Sequence, residues 1–200
     1  MIDPASPSVP RPRDAVAALP GYIAGRRASS AQTAALASNE SHEPPLPGVL
    51  EAIAEHAVRV TRYPDMAAVQ LREVLADRVG LGADAVAVGA GSVSVLQQVL
   101  TAFCGAGDEV VFAWRSFEAY PILAALAGAS LVRVPLLADE RHDLAGMLAA
   151  ITERTRVVLL CSPNNPTGTA LTPAEVSDFL ARVPSGVLVV LDEAYLEYTA

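Results

Sequence analysis

The 200-residue chain contains no lysine; all fourteen of its basic residues are arginine. Any chemistry that needs a lysine amine therefore cannot be completed by these side chains. That excludes a self-contained Walker A phosphate loop and a self-contained Schiff base. Cysteine is scarce too. Cys104 and Cys161 stand alone, with no metal-ligand spacing and no partner set for a disulfide framework, so a reducing, cytoplasmic compartment is expected. Basic charge is in deficit, with 14 basic against 22 acidic residues and a net charge of -8. This argues against nucleic acid or a membrane surface as partner. No run approaches the roughly 18 apolar residues of a membrane span. The opening MIDPASPSVPRPRD puts proline and charge where a signal peptide needs an apolar stretch.

What the chain does have is apolar mass: 52% hydrophobic and 18% charged residues, enough for a sizeable core. Residues 1–45 are rich in Pro, Ser, Ala and Arg and read as an arm, ordered only by docking. From residue 46 the texture changes. PGVLEAIAEHAVRV spaces Val49, Leu50, Ile53 and Ala57 as one helical face behind a proline start. The turn Arg62-Tyr63-Pro64-Asp65 follows, then a second helix, AAVQLREVLADRVG, closed by Gly80. Short apolar runs then alternate with helical ones. DAVAVGAG, EVVFA, SLVRVPL, RVVLLCS and VLVVLDEAY read as strands. SVLQQVLTAFC, EAYPILAALAG, DLAGMLAAI and PAEVSDFLARV read as helices. Strands that are apolar on both faces and separated by helices predict an α/β fold: a mainly parallel sheet flanked by helices.

In such sheets ligands bind beyond the carboxyl ends of the strands. Three exits carry unusual residues: Gly89 to Ser92, Ser162 to Gly168, and Asp192 to Tyr195. In VGAGSVS, two glycines permit a sharp turn, and Ser92 and Ser94 open a helix whose free N–H groups suit a phosphate. A plain strand-to-helix turn with a serine cap fits equally well. A dinucleotide site ranks low, because the acids about 20 residues on, Asp108 and Glu109, begin a strand and so face away from the crevice. Asp192 ends a buried strand, and a carboxylate at the floor of a crevice must meet a cation or metal or take up a proton. A pyridinium nitrogen is one such cation. In CSPNNPTGT, Asn165 offers donors and acceptors, Pro166 restricts its neighbour and Gly168 supplies the turn. His42, His56 and His142 are scattered and expected to be solvated rather than ligating. Cys161 suits a small buried position, and Trp114 and Arg115 fit a lining or a packing role.

The ordered set LASNES, RYPD, VGAGSVS, VVFAWRSFEAYP, CSPNNPTGT and LDEAYLEY resembles the fold-type I aminotransferases that depend on pyridoxal 5'-phosphate (PLP). It is closest in pattern to the histidinol-phosphate aminotransferase group and its actinobacterial aromatic (phenylalanine) aminotransferase relatives. The resemblance runs from about Pro20 to the end. It implies that backbone amides of Gly91, Ser92 and Val93 hold the cofactor phosphate and that Phe117 stacks on the pyridine ring, without the hydroxyl of the tyrosine common in relatives. Asn165 and Tyr195 bond the phenolic oxygen, and Asp192 pairs with the protonated ring nitrogen. Tyr63 reaches the phosphate in the neighbouring subunit of a homodimer. Tyr22 and Asn39 of the arm lie over the substrate, although Asn39-Glu40-Ser41-His42 departs from the usual Asn-Glu-Asn-Pro.

The same resemblance implies residues 1–45 as an arm or part of a small domain, and 46–200 as the N-terminal part of a PLP-binding large domain. The substrates implied are histidinol phosphate or an aromatic amino acid, with a 2-oxo acid as acceptor, and WRSFEAYP leans towards the aromatic relatives. The family's Schiff-base lysine has no counterpart here, so the sequence reads as an N-terminal fragment without turnover of its own, and an incomplete sheet is expected to expose an edge and an apolar face. A non-catalytic PLP-binding module, or a PLP lyase or decarboxylase, remain the alternatives.

Overall fold

The computed structural model describes residues 12–19 and 39–199. In these residues the helices are α1 (Asp14–Ala17), α2 (Pro47–Ala57), α3 (Val69–Val79), α4 (Gly91–Phe103), α5 (Ala119–Ala127), α6 (Leu144–Ala149) and α7 (Pro173–Arg182). The strands are β1 (Glu109–Trp114), β2 (Ser130–Pro135), β3 (Thr155–Cys161) and β4 (Leu188–Asp192). The chain divides into two compact units, one of Pro20–Ala87 and one of Val88–Ala200 together with the N-terminal residues to Leu19.

The larger unit is a four-stranded sheet in the order β2-β1-β3-β4, with every pairing parallel. Successive side chains of a strand point to opposite faces, and both faces here are covered. Val110 and Phe112 of β1 and Val157 and Leu159 of β3 pack with Leu96 and Leu100 of α4 and Tyr120 and Leu123 of α5. Val111, Ala113, Val158 and Leu160 pack on the other side with Met147 of α6 and Phe179 of α7. The continuous apolar runs of β1 and β3 are thus the direct signature of a sheet buried on two sides. Among the described residues β4 pairs with β3 alone, and Leu188 to Leu191 are only half-buried, so β4 forms one edge of the sheet and β2 the other.

Local chemistry sets the helix boundaries. α7 begins with a capping box: Thr172 Oγ1 accepts from the Glu175 N–H at 3.2 Å, and the Glu175 carboxylate accepts from the Thr172 N–H at 2.7 Å. α5 begins two residues before Pro121, in the first turn, where the missing N–H has no helical partner to lose. In the smaller unit Asp65 of RYPD accepts from the N–H groups of Ala67 and Val69 at 3.0 and 2.8 Å and starts α3. These bonds hold its carboxyl below the usual range. Arg72 of α3 donates to the Val86 carbonyl at 2.8 Å and ties down the segment after the short 3-10 turn Ala83–Ala85.

Two sequence expectations are corrected. DAVAVGAG is not a strand: it holds the 3-10 turn and then an unpaired stretch, because no described strand lies alongside it to complete a ladder. His142 is not solvated but 5% exposed, since the turn before α6 folds it inward. Burial lowers its pKa, with the Asn164 amide opposing that in part. His42 and His56 are exposed as expected.

Candidate active site

The three segments named from the sequence meet at the carboxyl end of the sheet, although the first, Gly89 to Ser92, follows an unpaired stretch rather than a strand. Ser92, Phe117, Cys161, Asn165, Asp192, Ala194 and Tyr195 line one open-mouthed cleft with about 330 Å³ of space. A larger groove of about 990 Å³ runs beside α4, past Val93, Gln97, Thr101 and Leu123. Its lining holds no ionisable side chain, whereas the smaller cleft holds Asp192, Cys161 and Tyr195.

Each wall follows from its element. Gly91 opens α4 at φ +74°, a conformation that a side chain would strain. Its own N–H turns back to the Gly89 carbonyl at 2.9 Å, so this amide is already engaged, against the expectation of a phosphate donor. The next two amides, of Ser92 and Val93, donate to no other described residue. They lie at the positive end of a 13-residue helix, where an anion is stabilised. Ser92 lines the cleft, while the Val93 side chain faces the outer groove.

Phe117 precedes α5 and stands half-buried, edge-on to Tyr120 with ring centroids 5.6 Å apart. Trp114 and Arg115 do not line the cleft. The indole meets Phe112 edge-on at 6.0 Å, and the guanidinium groups of Arg115 and Arg133 lie 5.4 and 5.3 Å from its ring centroid.

The loop after β3 divides labour between its two amides. Asn164, 2% exposed, is the scaffold. Its Oδ1 accepts from Ser116 Oγ at 2.6 Å, and its Nδ2 donates to the Arg115 carbonyl and to Thr167 Oγ1 at 3.2 and 2.8 Å. Its backbone closes the turn, accepting from the Gly168 N–H at 2.7 Å and donating to the Thr169 carbonyl at 2.8 Å. Gly168 takes φ +74° there. Asn165 is left half-buried at the cleft wall, and its side-chain amide bonds no described residue. Ser162 joins the loop to β4, its N–H donating to the Asp192 carbonyl at 3.0 Å.

Asp192 ends β4 at 8% exposure. Its Oδ1 accepts from the Ala194 N–H at 3.1 Å and its Oδ2 from the Tyr120 hydroxyl at 2.7 Å. Among the described residues no arginine or histidine pairs with it. Cys161 lies beside it at the end of β3, and burial raises its thiol pKa, which keeps it neutral. Sequence reasoning missed Tyr120 and Asn164. Tyr120 stands three residues after Phe117, the spacing that brings two side chains to one side of a helix start; Asn164 sits beside the amide that was named.

The remaining predicted residues lie elsewhere. Tyr63 is 99% exposed and belongs to the smaller unit, as does Asn39. Tyr22 falls outside the described residues. Those residues contain no group of three or more His, Cys, Asp or Glu able to hold a metal ion, and no helix long and apolar enough to cross a membrane.

Among the described residues the cleft therefore offers two unsatisfied amides at a helix start, an aromatic face, an unpaired side-chain amide and a buried carboxylate without a cation. That donor set fits a flat, cationic heteroaromatic ligand with an anionic tail.

Comparison with known proteins agrees with this chemistry. Residues 32–200 match the family model described as aminotransferase class I and II. An aromatic amino acid aminotransferase of Rhodococcus jostii is 54% identical over 189 residues, covering 94% of this chain and 52% of the relative. One from Streptomyces avermitilis is 51% identical over 195 residues, covering 96% and 54%. The chain thus spans about half the length of these curated relatives. Among solved structures, the histidinol-phosphate aminotransferase of Sinorhizobium meliloti in complex with pyridoxal-5'-phosphate superposes with a TM-score of 0.77 at 34% identity, covering 82% of this chain and 44% of that one. An aspartate aminotransferase mutant of Thermus thermophilus gives 0.70 at 28% identity, covering 77% and 43%. The sheet, the order of motifs and these likenesses lead to one conclusion: the chain belongs to the class I and II aminotransferase family.

Proposed function

We propose that this chain forms the cofactor-binding portion of a PLP-dependent transaminase that acts on aromatic amino acids with a 2-oxo acid as acceptor. The observation that carries the reading is the convergence of Ser92, Phe117, Asn165, Asp192 and Tyr195 on one cleft, from the start of α4 and the ends of β1, β3 and β4. The relatives named aromatic amino acid aminotransferases, at 54% and 51% identity, favour an aromatic substrate over histidinol phosphate. Residues 46–200 supply the cofactor domain, 1–45 the arm, and the working form is a cytoplasmic homodimer.

When bound, PLP supplies an electron sink for the carbanion left by loss of a substrate's Cα proton. This chain's residues prepare that chemistry. The Ser92 and Val93 amides hold the phosphate at the helix start. Phe117 covers one face of the ring and excludes water from it, which strengthens every electrostatic contact inside. Asp192 accepts a hydrogen bond from the ring nitrogen and retains the proton there. Asn165 and Tyr195 bond the phenolic oxygen and fix the ring's tilt. Tyr63 serves the site of a neighbouring subunit.

A complete cycle also needs a basic amine at Cα, and no residue of this sequence supplies one. A second reading is a PLP-binding module without turnover. Equilibrium dialysis of the 200-residue chain against PLP tests the shared claim. Saturable binding at one site per chain, weakened when pyridoxal replaces its phosphate ester, is expected. Absence of binding overturns it. Assays with phenylalanine, histidinol phosphate and a 2-oxo acid then separate the readings: the chain alone gives no turnover, whereas a version extended to the length of the relatives turns over only if the transaminase reading holds.

A further inference from the structure

We propose that Tyr120 is a positioning residue, holding the Asp192 carboxylate in the orientation that receives the cofactor's ring nitrogen. This role rests on the PLP reading above. Tyr120 is fully buried in the first turn of α5. Its ring is clamped by edge contacts to Phe117 at 5.6 Å and Phe112 at 6.0 Å. Its hydroxyl reaches across 72 positions of sequence to Asp192 Oδ2 at 2.7 Å. One side chain thus touches both the aromatic face of the cleft and the carboxylate at its floor.

The geometry gives the bond a task beyond satisfying a buried phenol. Oδ1 is held by the Ala194 N–H and Oδ2 by the Tyr120 hydroxyl. Two donors on two oxygens fix the plane of the carboxylate. Each oxygen of an ionised carboxylate has about two acceptor sites, so acceptor capacity remains for a cation. Burial, followed by the neighbouring Cys161 and Asp192, pushes the phenol pKa far up. The hydroxyl is therefore a donor at every working pH and never competes with Asp192 for the cation. Without it, one oxygen loses its anchor and the carboxylate is free to rotate.

The test uses the full 200-residue chain, unsubstituted and as Tyr120→Phe and Asp192→Asn, with PLP labelled with nitrogen-15 in the ring. Tyr120→Phe keeps the buried ring and removes only the hydroxyl. Affinity is measured by dialysis, and ring-nitrogen protonation from the nitrogen-15 shift against pH. In the Phe chain PLP binds up to about tenfold more weakly, and the deprotonation midpoint falls by up to about one pH unit towards that of Asp192→Asn. A purely structural role would lower thermal stability and leave the midpoint of the bound ring unchanged. An unchanged or raised midpoint in a folded Phe chain overturns the positioning role alone. Absence of PLP binding by the unsubstituted chain overturns the cofactor reading and this role together. If the Phe chain does not fold, the hydroxyl proton of Tyr120 in the unsubstituted chain decides. Its resonance shifts on saturation with PLP if Asp192 shares its charge between the two donors; no shift overturns the proposal.

Discussion

Two buried carboxylates on one sheet have opposite fates. Glu109 begins β1 at 5% exposure and Asp192 ends β4 at 8%. Glu109 is neutralised within the chain. Its Oε1 takes the Arg154 guanidinium, with Nε at 2.9 Å, and its Oε2 takes the Thr152 hydroxyl at 2.6 Å. The Thr152 bond first, then Arg154, holds its carboxyl below the usual glutamate range. Among the described residues Asp192 receives only neutral donors, one hydroxyl and one amide. A buried charge without a counter-charge is costly, and breaking a buried pair leaves that cost behind. Glu109 is a closed structural clasp at the amino end of the sheet. Asp192 is an open acceptor at the carboxyl end, where ligands of parallel sheets bind.

That contrast can be broken at either end. The largest effect is expected at Asp192. Asp192→Asn removes the charge proposed to receive a pyridinium, and dialysis is expected to show PLP binding weaker by roughly 10- to 100-fold, with thermal stability retained. Next is Asn164→Ala, which strips the side-chain bonds that fix the loop after β3. A loss of about 2 kcal/mol in urea unfolding is expected, and weaker PLP binding follows from the loosened loop. Glu109→Gln is expected to cost about 1–2 kcal/mol in the same measurement and to leave PLP affinity unchanged.

Glu109 also predicts a pH dependence. Its pKa is depressed in the folded state, so its contribution is complete above the ordinary glutamate value of about 4.3 and is lost as pH falls through the folded value. The stability gap between the unsubstituted and Gln chains should therefore close on acidification. The smallest effect is at Asn165→Ala. A few-fold loss of PLP affinity with no measurable change in unfolding is expected, since that side chain bonds no described protein group. Equal stability losses at Asn164 and Asn165 would erase the distinction between scaffold and ligand-facing amide.

The sequence was most informative where burial and punctuation coincide. Residues 110–114 of β1 and 157–161 of β3 are apolar without interruption because α4 and α5 cover one face and α6 and α7 the other. The glycines, prolines and acids that end such runs then mark the ligand side of the sheet. That punctuation singled out Ser92, Asn165, Asp192 and Tyr195, whereas Phe117 came only from the family resemblance. Residues whose role depends on a distant contact were hidden. Tyr120 reads as an ordinary helix residue until β4 brings Asp192 to it, and His142 reads as solvated until its loop folds inward. The segment DAVAVGAG has a strand's composition, but strand formation requires a neighbour, and no described strand pairs with it. The Gly91 amide was misread because its bond to Gly89 depends on the turn's geometry rather than on residue type.

In the proposed site Asp192 and the start of α4 grip the two ends of one ligand. A crystal structure of this chain soaked with PLP tests it most directly. The account predicts the ring nitrogen within hydrogen-bonding distance of Asp192, the phosphate on the Ser92 and Val93 amides, and the ring against Phe117. A phosphate bound away from α4, or a ring nitrogen facing a group other than Asp192, would contradict it.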